Sequence, residues 1–195
     1  MKETKSTRNL DLLVMVVTNW EAEPDNPFEN FSPTAGATLN RMMDAYCTLR
    51  GFHMYSTDCT QAFLNATVKR PVFVRPPHGF QKPGLVWRIK KHLYGLKSAP
   101  KAWLDCPLSH LTSPDQGFEP WSEDKTILRY FDPTDGTEII CEVFVDDIKW
   151  GTNNPQRCEE VINRLSKKFK ITLDGELTSY LGMRPSPGWM APGGN

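Results

Sequence analysis

The stretch from Glu138 to Trp150, EIICEVFVDDIKW, constrains the fold more than any other part of the chain. Ile139, Cys141, Val143 and Val145 fall on one face of a strand at period two, and Ile140, Glu142, Phe144 and Asp146 on the other. A strand that loads both faces with apolar groups lies inside a domain, its sheet covered by further layers. This one climbs to two adjacent carboxylates, Asp146 and Asp147. Paired acids at a strand end fit a polar hairpin turn, because Asp is a favoured turn residue. They also fit a metal site, because hard cations such as Mg²⁺ take carboxylate oxygens held on rigid elements. The strand alone leaves both open, with the turn the commoner case.

At 195 residues the chain suits one domain, or a domain plus a lobe, and 39% hydrophobic with 24% charged residues suits a globular one. Sixteen prolines predict long irregular connections. Lys plus Arg equals Asp plus Glu at 23 each, so no global positive field points to nucleic acid, and such binding needs a local basic patch. Cys47, Cys59, Cys106, Cys141 and Cys158 are widely spaced with no CxxC pair. That pattern argues against zinc or a disulfide framework and for a reducing compartment. The longest apolar run, Leu10 to Val17, is broken by Asp11, is too short to span a bilayer and precedes no signal-peptide cleavage site. The expectation is a cytoplasmic protein, neither secreted nor bound to a membrane.

In chain order, LLVMVVTNW (12–20) reads as a strand, and Glu21 to Thr34 as an acidic, proline-rich loop. From Ala35 the steps Leu39, Met42, Met43, Tyr46, Cys47 and Leu49 predict a packing helix, stopped by Gly51. Phe52 to Asp58 predicts a strand with Met54, Ser56 and Asp58 on one face and an acid at its end. Pro71 to Arg75 and Leu85 to Lys91 are further strands, the second with a basic outer edge. Arg75, Arg88, Lys90, Lys91 and Lys101, with Lys69, Arg70 and Lys97, form a cationic cluster, read either as a solvated face or as contacts for a phosphate backbone. Leu93 to Trp103 turns at Gly95 into a helix that Pro107 and Pro114 interrupt. Asp135-Gly136 marks a hairpin between TILRYF and the central strand. Cys158, Val161, Ile162, Leu165 and Phe169 stripe a helix over 157–169; Leu173 to Met183 reads as a strand pair or turn, and the last twelve residues carry no folding signal.

Four blocks in this order, DCTQAFLNA, LYGLKSAPKAW, FVDD and GELTSYLGM, together resemble the reverse transcriptase of copia-type long-terminal-repeat retrotransposons. The resemblance implies an α+β right-hand polymerase palm, an antiparallel sheet backed by helices, with a partial fingers lobe and no thumb. It implies a divergent N-terminal segment over 1–27, the reverse transcriptase domain over 28–183 and a disordered tail over 184–195. The implied activity is RNA-directed DNA synthesis, a two-metal nucleotidyl transfer that extends a DNA primer with two Mg²⁺ ions, Mn²⁺ substituting. Asp58 and Asp146 are then the bridging ligands, Asp147 a supporting carboxylate, and the Cys59 backbone carbonyl completes one coordination sphere. Phe63 takes the place of the ring that stacks under the incoming sugar and rejects a 2′-hydroxyl; core packing is its alternative. Gln61 and Ala62 line the same pocket, and Tyr94, Gly95 and Lys97 match positions that hold the incoming nucleotide and template. Implied partners are an RNA or DNA template–primer, dNTPs and other parts of a retroelement polyprotein, with virus-like particles as one compartment. The chain departs from the family pattern in four places. No Lys or Arg occurs in LDLLVMVVTNWEAEPDNPFEN, Ser98 replaces a glutamine, Pro107 breaks the palm helix, and Lys149 stands where an apolar residue is usual. These departures set up the alternative function, a catalytically inactive remnant with at most nucleic-acid binding.

Overall fold

A computed structural model describes residues 32, 36–121, 123 and 125–176. The strand expected over 12–20, nearly all of the acidic loop and the terminal tail lie outside the described residues. Within them the order is α1 (Ala37–Leu49), β1 (His53–Cys59), α2 (Ala62–Asn65), β2 (Thr67–Val74), β3 (Trp87–Lys91), α3 (Ala99–Leu111), β4 (Glu119–Pro120), β5 (Ile127–Asp132), β6 (Thr137–Phe144), β7 (Asp147–Thr152), α4 (Pro155–Ser166) and β8 (Ile171–Glu176). The class is α+β, and every strand pairing is antiparallel.

The alternation in the central stretch builds the middle of a six-stranded sheet ordered β4-β5-β6-β7-β1-β8. Every residue of β6 from Thr137 to Val143 is buried, because helices cover both faces. On one face Ile139, Cys141, Val143, Ile148 and Trp150 pack with Trp103, Leu104 and Leu111 of α3 and Cys158, Val161, Ile162 and Leu165 of α4. On the other, Ile127, Ile140 and Met54 pack with Met43 and Cys47 of α1. Gly151 permits that approach: a Cβ there would collide with the Cys47 sulfur.

The α1 face also buries charge. Lys149 is fully enclosed, and its ammonium reaches Asn40 Oδ1 at 2.5 Å, Asp44 Oδ1 at 2.7 Å and Glu142 Oε2 at 3.0 Å. Nearby, Glu138 accepts from Arg129 Nε at 2.6 Å, Tyr46 Oη at 3.0 Å and Arg50 Nη2 at 3.4 Å. Lys149 therefore occupies an apolar-type position by meeting two counter-ions, Glu142 beside it in the sheet and Asp44 across the layer on α1, with the neutral Asn40 amide as a third partner.

The smaller β2–β3 sheet stands apart from the main one. Phe73 pairs with Arg88 and Val72 with Ile89, so Phe73, Arg88 and Lys90 share the outer face while Val72 and Ile89 turn inward. The helix expected to break at Pro107 does not: α3 runs through it to Leu111. The ring removes the N–H that would reach back one turn, a cost of about 3 kcal/mol. Burial of Trp103, Leu104, Pro107 and Leu111 on the sheet offsets it, so tertiary packing overrides the local signal. Pro114 falls beyond the C-cap at Thr112, where it costs nothing.

Candidate active site

The β6–β7 hairpin turns on two residues, Val145 and Asp146, between Phe144 and Asp147. The alternation expected to run through Val145 and Asp146 thus stops at Phe144. Val145 sits at φ 46, where a β-branched side chain crowds its own backbone at a cost of roughly 1–2 kcal/mol. Two hydrogen bonds hold the turn in this shape. The Trp103 indole Nε1 donates to the Val145 carbonyl at 2.6 Å, and the Cys59 N–H donates to the Asp146 carbonyl at 2.7 Å. Helix α3 and the end of β1 thereby clamp the tip of the hairpin.

Across that tip, Asp58 and Asp147 are direct register partners on β1 and β7. Asp146 lies in the turn beside them, with Oδ2 accepting from the Tyr94 hydroxyl at 2.8 Å. Its other oxygen, Oδ1, is buried with no hydrogen-bond partner. Burial raises the Asp146 carboxyl above its ordinary range; the Tyr94 bond opposes the rise and the Asp58 charge adds to it. Burial pushes the Cys59 thiol up to about 12, with the Asp146 and Asp58 charges adding, so this cysteine is neutral and its sulfur offers no thiolate ligand. The Tyr94 phenol is likewise raised, first by burial, then by its bond to Asp146 and the charges of Asp146 and Asp58. The charges of Asp58 and Asp146 thus act on both Cys59 and Tyr94.

Among the described residues no three His, Cys, Asp or Glu side chains converge as a preformed metal cage. Mg²⁺ does not require one, since it is commonly held by one or two carboxylates together with waters and substrate phosphates. A buried carboxylate oxygen without a donor is costly unless something positive meets it. The donor set, hard oxygens beside a neutral thiol, fits such an ion.

Around this tip the other expected residues divide. Ala62 and Phe63 are buried in α2, and the Phe63 ring lies 4.4 Å from the Tyr94 ring, centroid to centroid. Packing therefore accounts for much of Phe63, although its ring also touches Tyr94, which bonds Asp146. Gln61 opens α2 at φ 55, exposed, and Gly95 turns the chain at φ 100 beside Tyr94, where a side chain would be strained. Lys97 is exposed. Ser98, at the glutamine position, meets the buried His92 ring at 3.2 Å. Trp103 was not among the expected site residues; its place closing the LYGLKSAPKAW block was the available signal.

The cationic set also divides. Lys91 Nζ donates to the Asn65 carbonyl at 3.1 Å and to Thr67 Oγ1 at 3.2 Å, tying β3 to the end of α2 and the start of β2, and Lys101 pairs with Asp105 at 3.3 Å. Arg75, Arg88 and Lys90 are exposed on or next to the outer β2–β3 face around the half-exposed Phe73. From Cys59 to Leu104 the sequence carries Lys and Arg but no Asp or Glu. The overall charge balance conceals a wholly basic segment following Asp58.

Residues 13–186 match the family described as reverse transcriptase (RNA-dependent DNA polymerase). The chain is 31% identical over 159 residues to the retrovirus-related Pol polyprotein from transposon RE1 of Arabidopsis thaliana, covering 80% of this chain and 10% of that protein. It is 25% identical over 182 residues to the retrovirus-related Pol polyprotein from transposon TNT 1-94 of Nicotiana tabacum, covering 87% of this chain and 13% of that one. To the transposon Ty1-BL Gag-Pol polyprotein of Saccharomyces cerevisiae it is 27% identical over 118 residues, covering 60% and 6%. The chain thus spans about a tenth of the length of these relatives. No solved structure matches it. Among the described residues no helix is long and apolar enough to cross a membrane.

Proposed function

The chain belongs to the reverse transcriptase (RNA-dependent DNA polymerase) family, as found in copia-type retrotransposon Pol polyproteins, and from that membership we propose that it extends a DNA primer on an RNA template. The six-stranded sheet with its covering helices is read as the palm, the β2–β3 sheet as a partial fingers lobe, and 28–183 as the extent of the domain. The observation that carries the reading is the placement of Asp58 opposite Asp147 in the β1–β7 register, with Asp146 in the adjoining turn and its Oδ1 buried and unpartnered.

Asp58 and Asp146 would hold the divalent ions, with the Cys59 carbonyl as a further ligand and Asp147 as a supporting charge. Bound Mg²⁺ supplies an activated primer 3′-hydroxyl and neutralises triphosphate charge. The protein's own share is positional. The clamped turn fixes the Asp146 backbone, β1–β7 pairing fixes Asp58 against Asp147, and Phe63, Gln61 and Ala62 border the place of the incoming sugar. Tyr94, Gly95 and Lys97 close that place from the loop before α3. Arg75, Arg88, Lys90 and Lys91 would meet the phosphate backbone, whereas Lys101 faces the opposite charge of Asp105 and contributes less.

Primer extension on an RNA template with Mg²⁺ tests this, the chain set beside its Asp146→Asn variant. Extension by the parent alone is the expected result. Equal silence from both, with oligonucleotide binding retained, selects the second reading, an inactive remnant that still binds nucleic acid; the acid-free basic segment is what favours it.

A further inference from the structure

Two features of Asp146 stand in tension. Its Oδ1 is buried without a hydrogen-bond partner, while Oδ2 takes the Tyr94 hydroxyl at 2.8 Å. A carboxylate on the single χ1 and χ2 of Asp rotates readily, and a turn at the end of a sheet offers it solvent. An unsatisfied buried oxygen would be relieved by such a rotation. The Tyr94 bond opposes it. Tyr94 is in turn held by its ring, 4.4 Å from that of Phe63 at an interplanar angle of 48°, and Phe63 is fixed in the core beneath.

We infer that Tyr94 is a positioning residue: its hydroxyl holds Asp146 with Oδ1 directed toward a divalent cation, and its ring ties that orientation to Phe63. This rests on the reading of Asp58 and Asp146 as the ion-binding pair. It changes the part expected of Tyr94 from contact with the nucleotide to support of the carboxylate. It also connects two places that would otherwise act separately, since whatever presses on Phe63 at the sugar position is felt, through Tyr94, at the carboxylate. Groups that orient a metal ligand from behind typically set metal affinity by 10- to 100-fold.

The test needs no turnover. Mn²⁺ is titrated into the full chain and free ion is read by electron paramagnetic resonance, for the parent, Tyr94→Phe, Phe63→Leu and the double variant Asp58→Asn/Asp146→Asn. Tyr94→Phe keeps the ring against Phe63 and deletes only the hydroxyl. Its Mn²⁺ dissociation constant is expected to rise about tenfold, at the lower end of that range because Tyr94 is partly exposed. Phe63→Leu, which leaves the hydroxyl but loosens the ring, is expected to give a smaller rise, and it decides the matter if Tyr94→Phe fails to fold. Unchanged or tighter binding in Tyr94→Phe overturns the inference; tighter binding would mean that the hydroxyl competes with the ion. Failure of the underlying reading looks different. If the parent binds Mn²⁺ no better than the double aspartate variant, the ion site itself is lost, and the role of Tyr94 with it.

Discussion

Lys149 Nζ lies 3.0 Å from Glu142 Oε2, and neither side chain reaches solvent. The two residues face each other across β6 and β7, close to the hairpin turn at Val145 and Asp146. A buried pair of this kind adds little net stability over a well-packed apolar pair, but removing one partner strands the other. Lys149→Met is therefore expected to cost about 3–5 kcal/mol, although Asp44, a quarter exposed, can return to water. Lys149→Met with Glu142→Leu should recover most of that loss. Urea unfolding of the singles and the double measures the coupling, and additive losses would show that the pair is not the unit.

The Asp146 carboxyl makes a pH-dependent contribution of unusual sign. Its folded-state value is raised, by burial first and by Asp58 after it, so the folded protein holds this proton more tightly than the unfolded chain. The associated stability is present at acid pH and is lost as pH rises through the raised value. Asp146→Asn, which cannot ionise, is expected to melt close to the parent near pH 4 and increasingly above it toward pH 7. Thermal melts across that window, without divalent ions, test it; an advantage that shrinks with rising pH would contradict the burial. Added Mg²⁺ should narrow the gap from the parent's side, because only the parent offers the ion the Asp146 charge beside that of Asp58.

Much of this was legible in the sequence, and the boundary has physical causes. The buried central strand leading to the paired acids, the helix carrying Cys158, Val161, Ile162 and Leu165, which ends at Ser166 short of the expected Phe169, and the Asp135-Gly136 turn were readable because each rests on a local period or backbone preference. Asp58 was placed beside the double Asp by its position at a strand end, and the β1–β7 register agrees. Pro107 misled because local propensity carries no knowledge of the sheet on which α3 packs. Lys149 looked like a misfit because its counter-ions, Asp44 and Glu142, are 105 and 7 positions away, and no window joins them. The engagement of Lys91 with Asn65 and of Lys101 with Asp105 follows from three-dimensional neighbours.

Trp103 gives a direct handle on the clamped turn. Trp103→Phe preserves most of the apolar contact with Phe169 and the core but deletes the N–H that reaches the Val145 carbonyl. Leaving that acceptor without its donor is expected to cost about 1–3 kcal/mol. The loss should be local, because Val145 is already strained and is held in the left-handed region by this bond. Hydrogen exchange read at the Cys59 amide, which donates to the Asp146 carbonyl, should speed up more than exchange at Cys141 in mid-strand. Equal acceleration at both would mean that the indole acts only through global stability.

The outer face of the β2–β3 sheet sets Phe73 directly across from Arg88, with Lys90 on the same side and Arg75 just past the end of β2. An exposed ring between cations, in a segment without acids, is the combination that single-stranded nucleic acid uses: a base stacks on the ring while phosphates meet the charges. The two contributions separate by salt. Phe73→Ala is expected to weaken binding of a single-stranded RNA oligonucleotide by about 1–3 kcal/mol at every ionic strength, because stacking releases no counter-ions. Arg88→Ala and Lys90→Ala should each lower the salt slope by about 1 and lose most of their effect at high salt. Lys101→Ala, with its ammonium already committed to Asp105, should change the slope least. Fluorescence anisotropy across a salt series distinguishes these outcomes. If Lys101→Ala matched Arg88→Ala, the binding track would run along α3 instead of across the β2–β3 face.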